Sequence, residues 1–346
     1  MQDKNKIIGG EFGIDIQLLK ERRADNLELE KTSTFSSGRS ALYHILLDAR
    51  KDYGVSKVFF PDYLCSSLLV AAKAANFEVK HYSINSALEL EKSSFANIYD
   101  ANCAVLIINY FGLKDLSSQI AAIRSINENA IIIEDDVQAY YEFLKPLNNT
   151  TYKFTSLRKT FPCPDGGLAK AANALEEPAA TNRFYQYKLA GGVLKSLRRP
   201  EFFDDNVYLS LFKMGEDRIN SDITMGMSGV SYEILSKIDG SHIGAARKRN
   251  ARVIADGLKS LGISTVIPVS DHNIPLFVPI YLEDRDKVRA CMMRHGVFCP
   301  VHWPLDGMSV KKGKEMSEHE LSIIIDQRYT NRDMEYILEL IEKSLK

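Results

Sequence analysis

The residues whose types and spacing could support chemistry lie between Ala130 and Ala171. An apolar, β-branched run, AIII, leads to two consecutive carboxylates, Asp135 and Asp136. Charge at the end of such a run indicates a buried strand that reaches the edge of a sheet. Further on, the chain reads TYKFTSLRKTFPCPDGG, with Lys159 close after the short strand. A lysine amine on a rigid strand-to-turn junction could form a Schiff base with a carbonyl group.

Both residues also have simpler interpretations. A lysine considered without its surroundings is a solvated surface charge. An aspartate at the end of a strand is more often a helix cap or a turn residue than part of a site. The order of the two, carboxylate first and lysine second, leaves both interpretations open.

Composition limits the possible classes of protein. A chain of 346 residues with an apolar fraction of 45% can form one large and one smaller domain. The 44 Lys and Arg residues nearly balance the 45 Asp and Glu residues, so charge gives no reason to expect nucleic acid or a membrane as partner. Scattered cysteines and an N-terminus without a signal-peptide core predict a cytoplasmic protein. The five cysteines are Cys65, Cys103, Cys163, Cys291 and Cys299.

The segment around Ser37 and Gly38 predicts the start of a helix. Apolar residues follow at helical spacing, and Gly54 is suited to the helix C-terminus. Free N–H groups and small residues at a helix start can bind a phosphate, although SSG before a helix is more often a simple N-cap. Nearer the N-terminus, GGEFG is either a loop that reaches a site or a mobile leader, and we favour the leader.

Strand and helix patterns alternate through the first half of the chain. Residues 103–108 and 131–133 form apolar strands, and a helix that Asp115 could cap lies between them. Such repeats predict a parallel sheet with helices on both faces. The chain lacks GxGxxG and GxxxxGK[ST] motifs at these units, which excludes the usual dinucleotide and nucleoside-triphosphate loops. Tyr63, in the turn after another strand, could stack on a planar ring or pack at the edge of the core.

Five segments occur in the order SSGRSAL, FPDYL, NYFG, IEDDVQA and SLRKTFPCPDGG. Together they resemble the fold-type I pyridoxal-phosphate enzymes, in particular the DegT-type nucleotide-sugar aminotransferases. The resemblance extends over most of the chain, to VHWP near the C-terminus. It implies an α/β large domain of the aspartate aminotransferase-like fold, with a mostly parallel sheet, and a small C-terminal α+β domain.

The resemblance also implies a cofactor and the residues that bind it. Pyridoxal 5'-phosphate would be bound covalently to Lys159, while Asp135 pairs with the pyridine nitrogen, as an acid that keeps this nitrogen protonated would. The other predicted cofactor residues are Ser37, Gly38 and Arg39 at the phosphate, Tyr63 over the ring, Gln138 at the ring hydroxyl, Ser156 as a possible phosphate ligand, and Asn220. Asn220 corresponds to a family residue that reaches the neighbouring subunit's phosphate, so a homodimer with a shared active site is expected.

The activity implied is transfer of an amino group from an amino acid, expected to be glutamate, to a keto sugar attached to a nucleotide. Related sugar dehydratases have histidine in place of the lysine, so Lys159 favours transamination. The alternatives are a pyridoxal-phosphate enzyme of another reaction type, an aminotransferase for a non-sugar acceptor, and a catalytically silent regulatory protein that binds the cofactor.

The sequence departs from the family pattern at two places. The family serine commonly lies five residues before the lysine, whereas Thr155 and Ser156 lie closer here. The arginine of the family's GYNYR loop is replaced by Asp222. Both changes affect phosphate and substrate contacts more than the lysine itself.

The chain is expected to divide into a large cofactor-binding domain, residues 1–240, and a small domain, residues 241–346. Residues 275–282 form a strand in the small domain, a helix ends at Gly296, and residues 331–346 form an amphipathic helix.

Three residues of the small domain are candidate substrate ligands. His302 and Trp303 could line the substrate cleft, although packing is the commoner role for such a pair. Arg328 could pair with a substrate carboxylate, although a surface position is commoner. Cys299 and His302 are too few ligands for zinc, so no metal site is predicted.

Overall fold

The computed structural model describes residues 6–20, 32–147, 149–198, 203–304 and 311–346. The strands β1 to β11 are Ile8–Gly9, Thr32–Phe35, Lys57–Pro61, Glu78–Tyr82, Cys103–Ile108, Ile131–Asp135, Tyr152–Ser156, Gly167–Lys170, Phe277–Tyr281, Val297–Phe298 and Glu320–Ile324. The helices α1 to α14 are Gln17–Lys20, Gly38–Tyr53, Ser66–Ala74, Lys92–Ile98, Ser117–Ile126, Tyr140–Phe143, Leu157–Thr160, Phe184–Ser196, Asn206–Arg218, Gly229–Ser236, Gly240–Ser260, Arg285–Arg294, Lys311–His319 and Asn331–Leu345.

A seven-stranded sheet forms the centre of the molecule, in the order β2-β8-β7-β6-β5-β3-β4. Neighbours from β4 through β7 pair in parallel, and β8 runs antiparallel to both β7 and β2. The prediction of a mostly parallel sheet is therefore confirmed. Every residue of β5 and β6 is buried, as expected for strands covered on both faces.

The predicted helix after Ser37 is confirmed as α2. Its buried residues include Leu42, Ile45 and Leu46, at the spacing that places them on one face. The helix ends at Gly54, which has a φ of 69° and donates its N–H to the Arg50 carbonyl. This left-handed backbone conformation favours glycine, so the chain turns there at little cost.

A second core forms between α11, α12, α14 and the antiparallel pair β9 and β11. The terminal helix buries Met334, Ile337 and Ile341 completely, and each such side chain stabilises the fold by about 1.5–3 kcal/mol. Ile8 of β1 belongs to this core, because β1 pairs in parallel with β10. The N-terminal strand thus packs with the C-terminal core, while the boundary at residue 240 remains a prediction.

The parallel strands bring their carboxyl ends to one edge of the sheet. Asp135 is the last residue of β6, Ser156 is the last residue of β7, and Tyr63 follows β3. Since β2 runs in the same direction as these strands, the start of α2 reaches this edge as well. Ligands of open α/β sheets bind at such edges. Across the described ranges, no helix combines the length and the apolar character needed to cross a membrane.

Candidate active site

A cavity lies at the carboxyl edge of the sheet, where β6 and β7 end. It encloses about 890 Å³ of empty space, part of it open to solvent. Most of the predicted site residues line it, namely Ser37, Gly38, Arg39, Asp135, Gln138, Ser156, Lys159, His302 and Trp303. Within the described part of the chain, Tyr63, Asn220 and Arg328 are outside this lining.

Lys159 lies on α7, a single helical turn directly after β7. The Leu157 N–H donates to the Gly166 carbonyl (3.0 Å), and the Phe161 N–H donates to the Leu157 carbonyl (2.8 Å). These bonds fix the backbone on both sides of the lysine. Lys159 itself is exposed and forms no ion pair with any residue that the structure describes. An amine on a fixed backbone, without a carboxylate partner, is free to meet a carbonyl group.

Asp135 is buried at the end of β6 and lines the same cavity. Its Oδ1 accepts a hydrogen bond from the Val137 N–H (2.9 Å). Burial raises the pKa of Asp135 to about 7, although the Val137 N–H opposes this effect. A carboxylate in this environment is expensive to ionise unless a cation is bound beside it. A ligand that carries a protonated nitrogen would therefore be stabilised here.

Gln138 has one end of its amide committed to the fold. Its Oε1 accepts a hydrogen bond from the Phe111 N–H (2.8 Å). Because a backbone N–H requires an acceptor, this bond assigns the amide oxygen and leaves the NH₂ group as the end available to a ligand. The following residue, Gly112, has a φ of 72°, and a Cβ there would lie 2.6 Å from the Gln138 carbonyl oxygen. Glycine is therefore required where this loop approaches the site.

The start of α2 forms one wall of the cavity. Ser37 is the N-cap, and its hydroxyl oxygen accepts the Ser40 N–H (3.1 Å). A Cβ on Gly167 of β8 would lie 2.0 Å from the Ser37 carbonyl oxygen, and one on Gly38 would lie 3.2 Å from the Ser156 Cβ. These close approaches bring the positive end of the helix dipole next to β7 and Ser156. The arrangement can hold an anionic group such as a phosphate.

Tyr63 lies behind the cavity wall. The residue is fully buried, its hydroxyl donates to the His302 carbonyl, and its carbonyl accepts from the Tyr110 hydroxyl (2.6 Å). Trp303 packs on Tyr63 with ring centroids 5.2 Å apart, and Trp303 lines the cavity together with the buried Phe154. The ring-stacking role of Tyr63 remains a prediction, and Trp303 presents the exposed aromatic surface.

His302, four residues after β10, also lines the cavity. Its backbone N–H donates to Glu320 (2.8 Å), and its Nδ1 lies 2.7 Å from the Ser322 hydroxyl. Burial, with a smaller contribution from the charge of Lys159, lowers the pKa of His302 to about 3. The imidazole is therefore neutral at physiological pH, and its position close to Lys159 suits a hydrogen-bonding role.

The loop that follows α9 contains two residues singled out from the sequence. Asn220 accepts a hydrogen bond from Arg39 of its own chain, so Asn220 lies beside the predicted phosphate-binding residues without lining the cavity. Asp222, which replaces a family arginine, is buried and accepts the N–H groups of Arg183 (2.7 Å) and Phe184 (3.1 Å). These are free donors at the start of α8, so this carboxylate caps a helix.

Arg328 is already paired within the chain. Its Nε and Nη2 donate to the two carboxylate oxygens of Asp326, at 2.9 Å and 2.8 Å, and its guanidinium lies 4.3 Å from the Phe12 ring centroid. It also donates to the carbonyls of Gly10 (3.2 Å) and Glu11 (3.3 Å). The substrate role of Arg328 remains a prediction. The GGEFG segment is a loop held by Arg328 and by Lys188 and Lys195 of α8, so the interpretation of that segment as a mobile leader is wrong.

Arg158 and Glu216, which sequence reasoning missed, also line the cavity. Arg158 donates to Glu216 of α9 (3.3 Å), and Lys188 donates to the same carboxylate (3.0 Å). Burial alone would raise the pKa of Glu216, but Arg158, Lys188 and Lys159 lower it to about 2. The adjacency of Arg158 to Lys159 was a signal in the sequence. The position of Glu216 had none, because its partners are remote along the chain.

Several solved structures with a similar fold are described as sugar aminotransferases. The Streptococcus pneumoniae protein Spr1654, assigned as a sugar aminotransferase, matches with a TM-score of 0.71 and 12% identity over 98% of both chains. The sugar aminotransferase CalS13 of Micromonospora echinospora has a TM-score of 0.63 and 14% identity over 90% of this chain and 87% of its own. A DegT DnrJ EryC1 StrS aminotransferase of Brucella abortus has a TM-score of 0.63 and 15% identity over 92% and 86%.

These likenesses confirm the predicted fold class. The structures of Spr1654 include a PLP-form and a PMP-form, so the protein that shares this fold over nearly its whole length has been seen with both states of the cofactor. No protein-family profile and no curated protein sequence matches the chain. At such low identities the likeness establishes architecture, and the activity has to be argued from the site.

Proposed function

We propose that this chain is a pyridoxal-phosphate-dependent aminotransferase that delivers an amino group to a keto sugar. One observation carries the proposal. A single cavity at the carboxyl edge of the sheet brings together the amine of Lys159, the buried carboxyl of Asp135 and the anion-binding start of α2. These are the groups needed at the aldehyde side, the ring nitrogen and the phosphate of the cofactor.

The residues present fit that cofactor. Asp135 is buried without a cationic partner in the part of the chain that the structure describes, so a protonated pyridine nitrogen would satisfy it. Gly38 and Ser156 approach each other closely at the start of α2, where backbone N–H groups would hold the phosphate together with Ser37 and Arg39. The NH₂ group of Gln138 would contact the ring hydroxyl, and Trp303 or Tyr63 would cover the ring.

Pyridoxal phosphate, when bound, supplies a carbonyl for condensation with amines and a ring that accepts the electron pair released at the substrate Cα. Lys159 would act as the base that removes the Cα proton, because its amine is the one basic group predicted at the reacting atoms. Asp135 would hold the proton of the ring nitrogen in place. Neutral His302, held by Ser322, would orient the substrate through a hydrogen bond.

The expected amino donor is glutamate, and the expected acceptor is a nucleotide-linked keto sugar. The family resemblance and the sugar aminotransferases of the same fold support both expectations. The pairing of Arg328 with Asp326 argues for other cations in substrate binding.

We further propose that the active unit is a homodimer. Leu197, Val207, Leu209 and Met214 are exposed apolar side chains on and beside α8 and α9, and a second copy would cover such a surface. Asn220, in the loop after α9, would then lie near the boundary between subunits. The chain would work in the cytoplasm, where its five free thiols would remain reduced.

The cofactor assignment is tested by absorption spectroscopy of the purified chain mixed with pyridoxal phosphate. We expect a visible band of the bound cofactor that is lost in Lys159→Ala, and we expect glutamate to convert the band to that of the amine form. Absence of any band in the native chain would contradict the proposal. A band that no amino donor changes would instead favour the catalytically silent alternative.

The acceptor is tested with the protein preloaded in its amine form. Nucleotide keto sugars should restore the aldehyde form, with 2-oxoglutarate as the positive control for the reverse reaction. Restoration by keto acids alone would overturn the sugar assignment and leave the aminotransferase assignment intact.

A further inference from the structure

A second cavity adjoins the first and shares Arg158, Lys159 and Leu276 with it. It encloses about 1020 Å³ of empty space, part of it open to solvent. Its walls come from the GGEFG loop, α11, α12 and the end of β11. The GGEFG loop and Arg328, both singled out in the sequence, line this space, whereas Arg247 and Arg289 were not predicted.

The cationic groups of this cavity are unequally neutralised. Arg328 is paired with Asp326 (2.8 Å), and Arg158 is paired with Glu216 (3.3 Å). Glu11, the other acid in the lining, is paired with Lys188 (2.8 Å).

Arg247 and Arg289 remain. Both line the cavity, and neither forms an ion pair with a residue in the described ranges. The cavity therefore carries excess positive charge beside Lys159.

Arg247 is the more unusual of the two. It lies on α11 with 1% of its surface exposed, and its Nη1 donates to the Leu276 carbonyl (3.1 Å), while its Nε has no partner. A buried guanidinium without a counterion costs several kcal/mol. Burial lowers the pKa of Arg247, against the opposing effect of Asp326, which reflects the same cost. A fold retains such a group more readily when a ligand supplies the anion.

We infer that Arg247, assisted by Arg289, binds one carboxylate of a dicarboxylic amino donor. The planar guanidinium fork matches a carboxylate in two parallel hydrogen bonds. Phe12, Leu276 and Phe277 provide apolar walls for a short methylene chain, and Lys159 lies where the two cavities meet. This inference rests on the proposed function, since it names the residues that would bind the dicarboxylic donor at the same site.

The contact also has a structural link to the first cavity. The Leu276 N–H donates to the Phe111 carbonyl (2.8 Å), and the Phe111 N–H donates to Gln138 (2.8 Å). Leu276 thus connects the Arg247 guanidinium to the residue predicted at the cofactor ring. A carboxylate on Arg247 would be placed at a fixed position relative to Lys159.

The test is calorimetric titration of the full chain with glutarate, a dicarboxylate that cannot react. We expect binding to the native protein that Arg247→Met weakens roughly tenfold to 100-fold, the loss typical of a charged hydrogen bond. Arg252→Met is the matched control, since Arg252 lies on the same helix with an exposed side chain paired to Asp271. It should leave glutarate binding unchanged. Arg247→Lys keeps the charge, so it should fall between the native chain and Arg247→Met.

Several results would overturn the inference. The first two are no glutarate binding by the native chain and equal glutarate binding by the native chain and Arg247→Met. The third comes from a parallel titration with uridine diphosphate: if Arg247→Met loses binding of this nucleotide and keeps binding of glutarate, the arginine belongs to the nucleotide site. If Arg247→Met does not fold, the comparison of native chain with Arg247→Lys decides. The titration needs neither turnover nor cofactor. An absent cofactor band would therefore refute the proposed function, while the glutarate titration would still test the inference about Arg247.

Discussion

The two faces of the β6–β7 pair differ in whether their charged side chains are paired. On one face, Glu134 of β6 stands directly opposite Lys153 of β7, and the two buried side chains form an ion pair of 3.1 Å. On the other face, Asp135 has no cationic partner among the described residues, and Lys159, just beyond the end of β7, has no anionic one there. Successive residues of a strand point to opposite faces, so one residue of offset separates the two arrangements.

The comparison teaches how to distinguish structural charge from functional charge here. Glu134 pairs with Lys153, which also lies 4.0 Å from the buried Asp136, so the fold itself uses the charge of Lys153. Asp135 and Lys159 are both left for a ligand that carries a carbonyl at one end and a basic nitrogen at the other. The contrast predicts that the two lysines affect entirely different measurements.

The largest effects on activity and stability are expected from substituting the two lysines. Lys159→Met should reduce aminotransferase activity by roughly 10⁴-fold or more, as expected for a lost covalent and basic group, and should change the free energy of unfolding by less than about 0.5 kcal/mol. Lys153→Met should lower the free energy of unfolding by about 3–5 kcal/mol, because it leaves Glu134 buried without a partner. Turnover assays and urea unfolding measure the two effects.

A double variant supplies the control for this pair. Glu134→Gln combined with Lys153→Met removes both charges and should be more stable than Lys153→Met alone. Equal unfolding free energies for the single and double variants would mean that the unpaired Glu134 is not what destabilises Lys153→Met.

The next effect concerns Asp135 and pH. Its folded pKa of about 7 lies above the ordinary value, so the contribution of Asp135 to the stability of the cofactor-free chain falls as pH rises from about 4 to 7, by up to about 4 kcal/mol. Asp135→Asn should therefore stabilise the cofactor-free chain at pH 8 and leave its stability at pH 4 nearly unchanged. Urea unfolding at both pH values measures this.

The same substitution should make the bound cofactor a poorer electron acceptor. Asparagine cannot keep the pyridine nitrogen protonated, so the bound cofactor should accept electrons poorly and activity should fall steeply. Retained activity in Asp135→Asn would remove Asp135 from the ring nitrogen. Equal unfolding free energies for the native chain and Asp135→Asn at pH 8 would show that Asp135 is not buried as a lone acid.

The smallest effect is expected at Asp222, a buried carboxylate that the fold does satisfy. Asp222→Ala should lower the free energy of unfolding by about 1–2 kcal/mol, because two N–H groups at the start of α8 lose their acceptor. The cofactor's dissociation constant should stay within about twofold of the native value, since this residue resembles Glu134 in being used by the fold. A large loss of cofactor affinity with unchanged stability would reverse that assignment.

The part of the site that sequence alone predicted is the part that depends on local pattern. Asp135 ends an apolar strand, Ser37 and Gly38 begin a helix, and Lys159 follows a short strand. A parallel sheet then brings these points to one edge, whatever the details of packing. The sugar acceptor and the shared dimer site depended on resemblance and remain proposals.

The missed features depend on contacts between distant segments. Glu216 meets an arginine 58 residues away, and the unpartnered Nε of Arg247 exists only because α11 is buried against the loop at Leu276. No local pattern encodes either. The Asp326–Arg328 pair is different, because its residues lie two positions apart and the DQR triplet could have suggested it.

The most direct test of the account is reduction of the cofactor-loaded chain with borohydride, followed by peptide mass spectrometry. Borohydride fixes the cofactor to whichever lysine holds it. We predict the label on the peptide that contains Lys159, with none on the peptide that contains Lys153. Label at Lys153, at scattered surface lysines or nowhere would contradict the assignment of Lys159 as the reactive amine.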